Sequence, residues 1–200
     1  MPVGWNNYTL SYGLRAIRRI EPDEELTSSY IDHRLPRNAR QQALQIRNFT
    51  CQCAWCSLST EESLQSDRNR HEILTWYDKH HPVAVWFITT PVSENEGYIS
   101  EGERTIRLCK KEGLEVLMHS FAMNMVLAYS QMADTPNCQK YARMALGIVK
   151  ARAPPGHKDI GMVEGFIENP KEAAGETWEK RLLNDASSVI PQGVSFCRLF

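Results

Sequence analysis

The spacing of apolar positions changes along this chain. Leu14, Ala16 and the Ile17/Ile20 pair precede Glu21-Pro22-Asp23-Glu24, and Leu26, Ser28 and Tyr30 then fall on every second residue. Apolar positions before a Pro-Asp turn and alternation after it predict a β-hairpin over residues 10–30. Pro22 presets φ there, and Asp23 tolerates left-handed backbone. Beyond it the period lengthens. Ala39, Ala43, Leu44 and Ile46 suit a short helix over 37–47. Ser66 or Asp67 is placed to cap a second helix through about His80, with Ile73, Leu74, Trp76 and Tyr77 as its buried face and Pro82 as its stop. Residues 91–102, with Pro91, Ser93, Asn95, Gly97 and Gly102, read as a loop.

From Glu103 to Ala133 the pattern is helical, with Ile106, Cys109, Leu117, Phe121 and Met125 as apolar positions. Gly113 inside it costs about 1 kcal/mol relative to Ala, which allows two helices in place of one. Asp134-Thr135-Pro136 predicts the next start, with Thr135 as cap and Pro136 in the first turn. That helix carries Cys138, Tyr141, Ala142, Ala145, Leu146 and Val149 and ends before Pro154-Pro155-Gly156. Asn169-Pro170 opens another, with Trp178 and Leu182 on one side. The helical pair from Phe121 to Pro154 has about the length of a tetratricopeptide unit, although the tryptophan and glycine of that repeat are absent.

Composition narrows the field without naming a function. The chain has 200 residues, 42% of them hydrophobic and 24% charged, which fits one or two soluble globular domains. A net charge of −1 speaks against a domain built to neutralise a phosphate backbone, so no nucleic-acid partner is expected. No apolar run approaches the roughly 18–20 residues of a membrane span, so no membrane partner is expected. Met1-Pro2-Val3-Gly4-Trp5-Asn6-Asn7-Tyr8 lacks a basic region followed by an apolar one, so no secretory signal is expected. The expected location is cytoplasmic, nuclear or both, where cysteines serve as thiols or metal ligands.

The cysteines are unevenly placed. Cys51, Cys53 and Cys56 fall within six residues, whereas Cys109, Cys138 and Cys197 are scattered. Cys-Gln-Cys-Ala-Trp-Cys brings three thiolates within reach of one tetrahedral zinc ion, while a disulfide between Cys51 and Cys53 would be strained. A closed structural site takes four ligands. Cys109, Cys138, Cys197, His33 and His71, or a residue of another chain, are candidates for the fourth.

Two segments taken together resemble a known family. Ala16-Ile17-Arg18-Arg19-Ile20-Glu21-Pro22-Asp23-Glu24-Glu25-Leu26-Thr27-Ser28-Ser29-Tyr30-Ile31-Asp32 resembles the end of a SET domain, and Phe49-Thr50-Cys51-Gln52-Cys53-Ala54-Trp55-Cys56 resembles the post-SET zinc segment. The spacer, with Arg37, Arg40-Gln41 and Leu44, is similar to the SET-MYND (SMYD-like) branch, whose post-SET segment is followed by a tetratricopeptide-like helical region.

The resemblance implies an α+β fold: the C-terminal part of a SET domain over 1–48, a post-SET cysteine segment over 49–58, and an all-α region over 59–200. It implies a protein-lysine N-methyltransferase using S-adenosyl-L-methionine, with a histone or non-histone lysine as substrate. Tyr30 would be the catalytic tyrosine and also border the cofactor. Phe49 would stack on the cofactor's adenine, and Cys51, Cys53 and Cys56 would hold Zn2+. The family's Asn-His-Ser-Cys cofactor motif, whose cysteine is the fourth zinc ligand, has no counterpart here, so the expected enzyme is incomplete in this chain. Arg47 stands where many relatives carry a second active-site tyrosine. The alternative reading is a non-catalytic helical interaction module that takes a peptide in its groove and keeps a vestigial SET segment.

Overall fold

The computed structural model describes residues 3–6, 11–14, 16, 19–25, 29, 31–80, 92–154 and 156–180. Strands β1 (Val3–Asn6) and β2 (Ser11–Leu14) pair antiparallel, with Val3 opposite Leu14 and Asn6 opposite Ser11. Among the described residues seven α-helices follow: α1 (Arg37–Gln45), α2 (Thr60–His80), α3 (Asn95–Lys111), α4 (Glu115–Gln131), α5 (Thr135–Arg152), α6 (Lys158–Glu168) and α7 (Pro170–Ala174).

The α+β expectation is overturned. The two four-residue strands pair only with each other among the described residues, and a lone ribbon is not a β layer. Among the described residues the core is built almost wholly by helices, so the architecture is all-α. β2, at the start of the expected hairpin, pairs with β1 ahead of it. The Glu21-Pro22-Asp23-Glu24 turn does form, with Asp23 at φ 63° and the Glu24 amide donating to the Glu21 carbonyl at 3.2 Å. Leu26–Ser28 and Tyr30, the expected second strand, lie outside the described residues.

The helical body explains itself locally. α2 starts seven residues before the expected cap. Ser59 and Glu62 form a reciprocal capping box: the Glu62 amide donates to Ser59 Oγ at 3.3 Å, and the Ser59 amide donates to Glu62 Oε2 at 3.1 Å. Ser66 and Asp67 instead serve tertiary contacts. Residues 95–102, expected as loop, are the first turns of α3. Gly102 belongs in a helix because a Cβ there would stand 2.6 Å from Met125 Sδ and 3.2 Å from the Trp76 ring. Only glycine lets α3 approach α2 and α4 this closely.

Gly113 separates α3 from α4 at φ +66°. Asp134, one residue before the expected Thr135, caps α5 by accepting from the Asn137 amide at 3.0 Å, with Pro136 in the first turn. Asn169 caps α7 and accepts from the Glu172 amide at 3.4 Å. α6 had no expectation attached to it.

The core gathers Ile73 and Trp76 of α2, Tyr98, Ile106 and Cys109 of α3, Phe121, Met125 and Val126 of α4, Cys138 and Ala142 of α5, and Val163 of α6. Tyr129 and Tyr141 stack across the α4–α5 hairpin at 5.6 Å between ring centroids. Among the described residues no helix is long and apolar enough to cross a membrane.

Candidate metal centre

The chain leaves α1 through Ile46-Arg47-Asn48, with Asn48 in a left-handed turn at φ 52°, and enters the cysteine loop at Phe49. Two neighbours on α1 hold that loop. Gln41 clamps the backbone of Cys51 from both sides: its Nε2 donates to the Cys51 carbonyl at 2.9 Å, and its Oε1 accepts from the Cys51 amide at 3.2 Å. Arg40 reaches the other end, with Nη2 3.9 Å from the Cys56 sulfur and Nη1 donating to the Leu35 carbonyl at 2.5 Å.

Within the loop, the Cys56 and Ser57 amides both donate to the Cys53 carbonyl at 2.9 Å, a turn that folds Cys56 back towards Cys51. The Trp55 ring lies against Gly113, where an added Cβ would stand 2.4 Å from two indole carbons. This docks the loop on the α3–α4 junction.

The three sulfurs lie within 4.8 Å of one another. Thiolates on one zinc at the usual Zn–S length of about 2.3 Å stand roughly 4 Å apart, so the donor set fits a tetrahedral ion with little movement. Cys56 is buried, Cys51 half-buried and Cys53 exposed. Burial, together with thiol hydrogen bonds given to Cys53 and Cys56, pushes Cys51 up to about 11. Burial acts the same way on Cys53, but hydrogen bonds from the Cys56 amide and from both neighbouring thiols outweigh it and hold Cys53 below the usual thiol value. Cysteine ligates a metal as thiolate, so metal capture by this trio would displace the thiol protons.

Of the candidates for a fourth ligand, none joins the trio among the described residues. Cys109 and Cys138 are fully buried in the helical core, where burial drives each up to about 12. His71 is exposed on α2, and His33 is half-buried beside Arg70, which takes the His33 carbonyl as acceptor. Cys197 lies outside the described residues, as does Tyr30, the expected catalytic residue. Phe49 is 51% exposed, and Arg47 is exposed at the end of α1.

A buried polar network beside the loop was missed by the residue pattern. Glu112, at the end of α3 next to Gly113, accepts from Ser66 Oγ at 2.5 Å and from Asn69 Nδ2 at 2.6 Å, and pairs with Arg70 Nη2 at 3.4 Å. Asp67 accepts from the Arg37 amide at 2.8 Å and so caps α1 from α2. The available signal was the run Ser63, Ser66, Asn69, Arg70 on the same helical stripe as Ile73. A polar stripe continuing an apolar one marks a buried polar face.

No family model matches the chain, and no solved structure does. Among curated proteins the chain is similar to the histone-lysine N-methyltransferase ATXR2 of Arabidopsis thaliana, 49% identical over 41 residues. That stretch is 20% of this chain and 9% of that protein. The similarity supports a relationship to SET-type lysine methyltransferases over a fifth of the chain and does not single out the SET-MYND branch.

Proposed function

We propose that the chain takes part in S-adenosyl-L-methionine-dependent N-methylation of protein lysines, and that Cys51, Cys53 and Cys56 hold the zinc of a post-SET-type segment. The observation that carries this reading is the convergence of three sulfurs within 4.8 Å in a loop clamped at both ends by α1. The local similarity to a histone-lysine methyltransferase supports it.

On this reading the cofactor supplies an electrophilic methyl group. Phe49, half exposed two residues before Cys51, offers a ring face to its adenine. Tyr30 aims the substrate amine with its hydroxyl. Deprotonating a lysine at pH 7 costs about 4–5 kcal/mol, and desolvation of the amine lowers that cost. The substrate is a lysine of a histone or non-histone protein in the nucleus or cytoplasm. The alternative, a non-catalytic module that binds a peptide along its helices, is favoured by the all-α body.

Zinc content and equilibrium binding of S-adenosyl-L-methionine to the full chain separate the two. The methyltransferase reading expects one zinc per chain and saturable cofactor binding that Phe49→Ala weakens about tenfold. Zinc without cofactor binding leaves the helical module. A chain that takes up no zinc overturns the metal assignment.

A further inference from the structure

We propose that Arg40 and Gln41 are outer-sphere positioning residues of the cysteine-bound metal, Arg40 by charge and a hydrogen bond to the Cys56 sulfur, Gln41 by fixing the Cys51 backbone. The inference deepens the zinc reading and rests on it.

Arg40 is 5% exposed, and among the described residues it has no carboxylate partner. A guanidinium buried without a counter-charge is costly, so such groups are found paired. Arg70, the other buried arginine nearby, shows the usual solution in its pairing with Glu112. Arg40 has instead one carbonyl and one sulfur. Three thiolates around a divalent ion leave one net negative charge, and a buried arginine at the third sulfur offsets it. Donation of an N–H to a metal-bound thiolate also drains electron density from sulfur and stabilises the charged cluster.

Gln41 acts by geometry. Its amide satisfies both the N–H and the C=O of Cys51, so the first sulfur is aimed before metal arrives. Adjacent positions on one helix thus hold the first and last ligands of the loop, and the intervening turn places Cys53. This preorganisation lowers the ordering cost of coordination.

The test uses the full chain loaded with Co2+ or Zn2+ against a chromophoric chelator. Arg40→Gln is expected to weaken binding about 10–100-fold, the usual effect of losing an outer-shell partner, with Arg40→Lys recovering part of the loss. In the cobalt form, losing the hydrogen bond raises the energy of the sulfur electrons, so the sulfur-to-cobalt charge-transfer band of Arg40→Gln moves to lower energy. A purely structural role would not move that band.

Unchanged affinity and spectrum in Arg40→Gln overturn the proposal and leave the metal site standing. A wild-type chain that binds neither metal overturns both. If Arg40→Gln fails to fold, Gln41→Ala carries the test. A loss of about tenfold supports the role, and wild-type affinity overturns it.

Discussion

At the scale of single residues, the informative positions are ionisable groups placed where water hardly reaches. Glu112 is 3% exposed and joins Ser66, Asn69 and Arg70 in one network. Replacing Glu112 with Ala removes the carboxylate that pairs with the buried Arg70. The expected cost is about 3–5 kcal/mol, read as a fall in the urea midpoint of the full chain. Glu112→Gln keeps the hydrogen bonds and should lose less.

His119 is the second such position. Burial, and then the Arg152 guanidinium 3.3 Å from Nδ1, hold it down at about 4, with Asp159 opposing. Its neutral form is therefore the folded form. The unfolded chain takes up the proton near pH 6.5, so this stability is fully present above pH 6.5. It drains as pH falls and is gone below about 4. A His119→Gln variant should lose that slope, so wild type and variant should converge between pH 7 and pH 4. Denaturant midpoints measured in chelator check this; parallel pH profiles would refute it. Neither residue declared itself in the sequence, because a lone Glu or His becomes informative only once its neighbours from other elements are known.

At the scale of elements, caps and breaks carry local information that a sequence shows well. The Pro22-Asp23 turn, the break at Gly113 and the Asn169-Pro170 start were all legible, because each depends on backbone preferences within a few residues. The start of α2 was not, because Ser66 and Asp67 look like caps and are occupied elsewhere. Ser66 hydrogen-bonds Glu112, and Asp67 caps α1. The capping box assigns the start to Ser59, and Ser59→Ala should cost about 1 kcal/mol in chemical denaturation without altering metal uptake.

Gly113 joins element to site. Alanine there would be strained at φ +66° and would collide with Trp55. Gly113→Ala is expected to lower stability by about 1–3 kcal/mol and to weaken zinc binding by lifting the loop from its seat. Paired melting and chelator-competition curves report both. A variant that melts lower yet binds zinc as before would show that Trp55 docking and metal geometry are independent.

At the scale of the whole molecule, the helical body and the cysteine loop stand on different supports. The body rests on an apolar core that includes Ile73, Met125, Val126, Cys138 and Val163, each at 0% exposure. The loop is attached through Gln41, Arg40 and Trp55. Removing metal with a strong chelator should therefore speed amide exchange over 49–58 and the end of α1 while α4 and α5 stay protected. Hydrogen-exchange mass spectrometry reads this directly, and uniform acceleration would show that metal and core fold as one unit.

The sequence alone determined the cysteine trio, the Pro22-Asp23 turn, the break at Gly113 and most helical spans, since these depend on neighbours a few positions apart. Tertiary structure decided the rest. It made the architecture all-α where the alternation around residues 10–30 suggested a mixed fold. It turned residues 95–102 into helix because Gly102 packs against Met125, set Arg40 against Cys56 across sixteen positions, and brought Glu112 to Arg70 across forty-two. Burial and pairing between distant segments have no local signature; they arise only when the chain closes on itself.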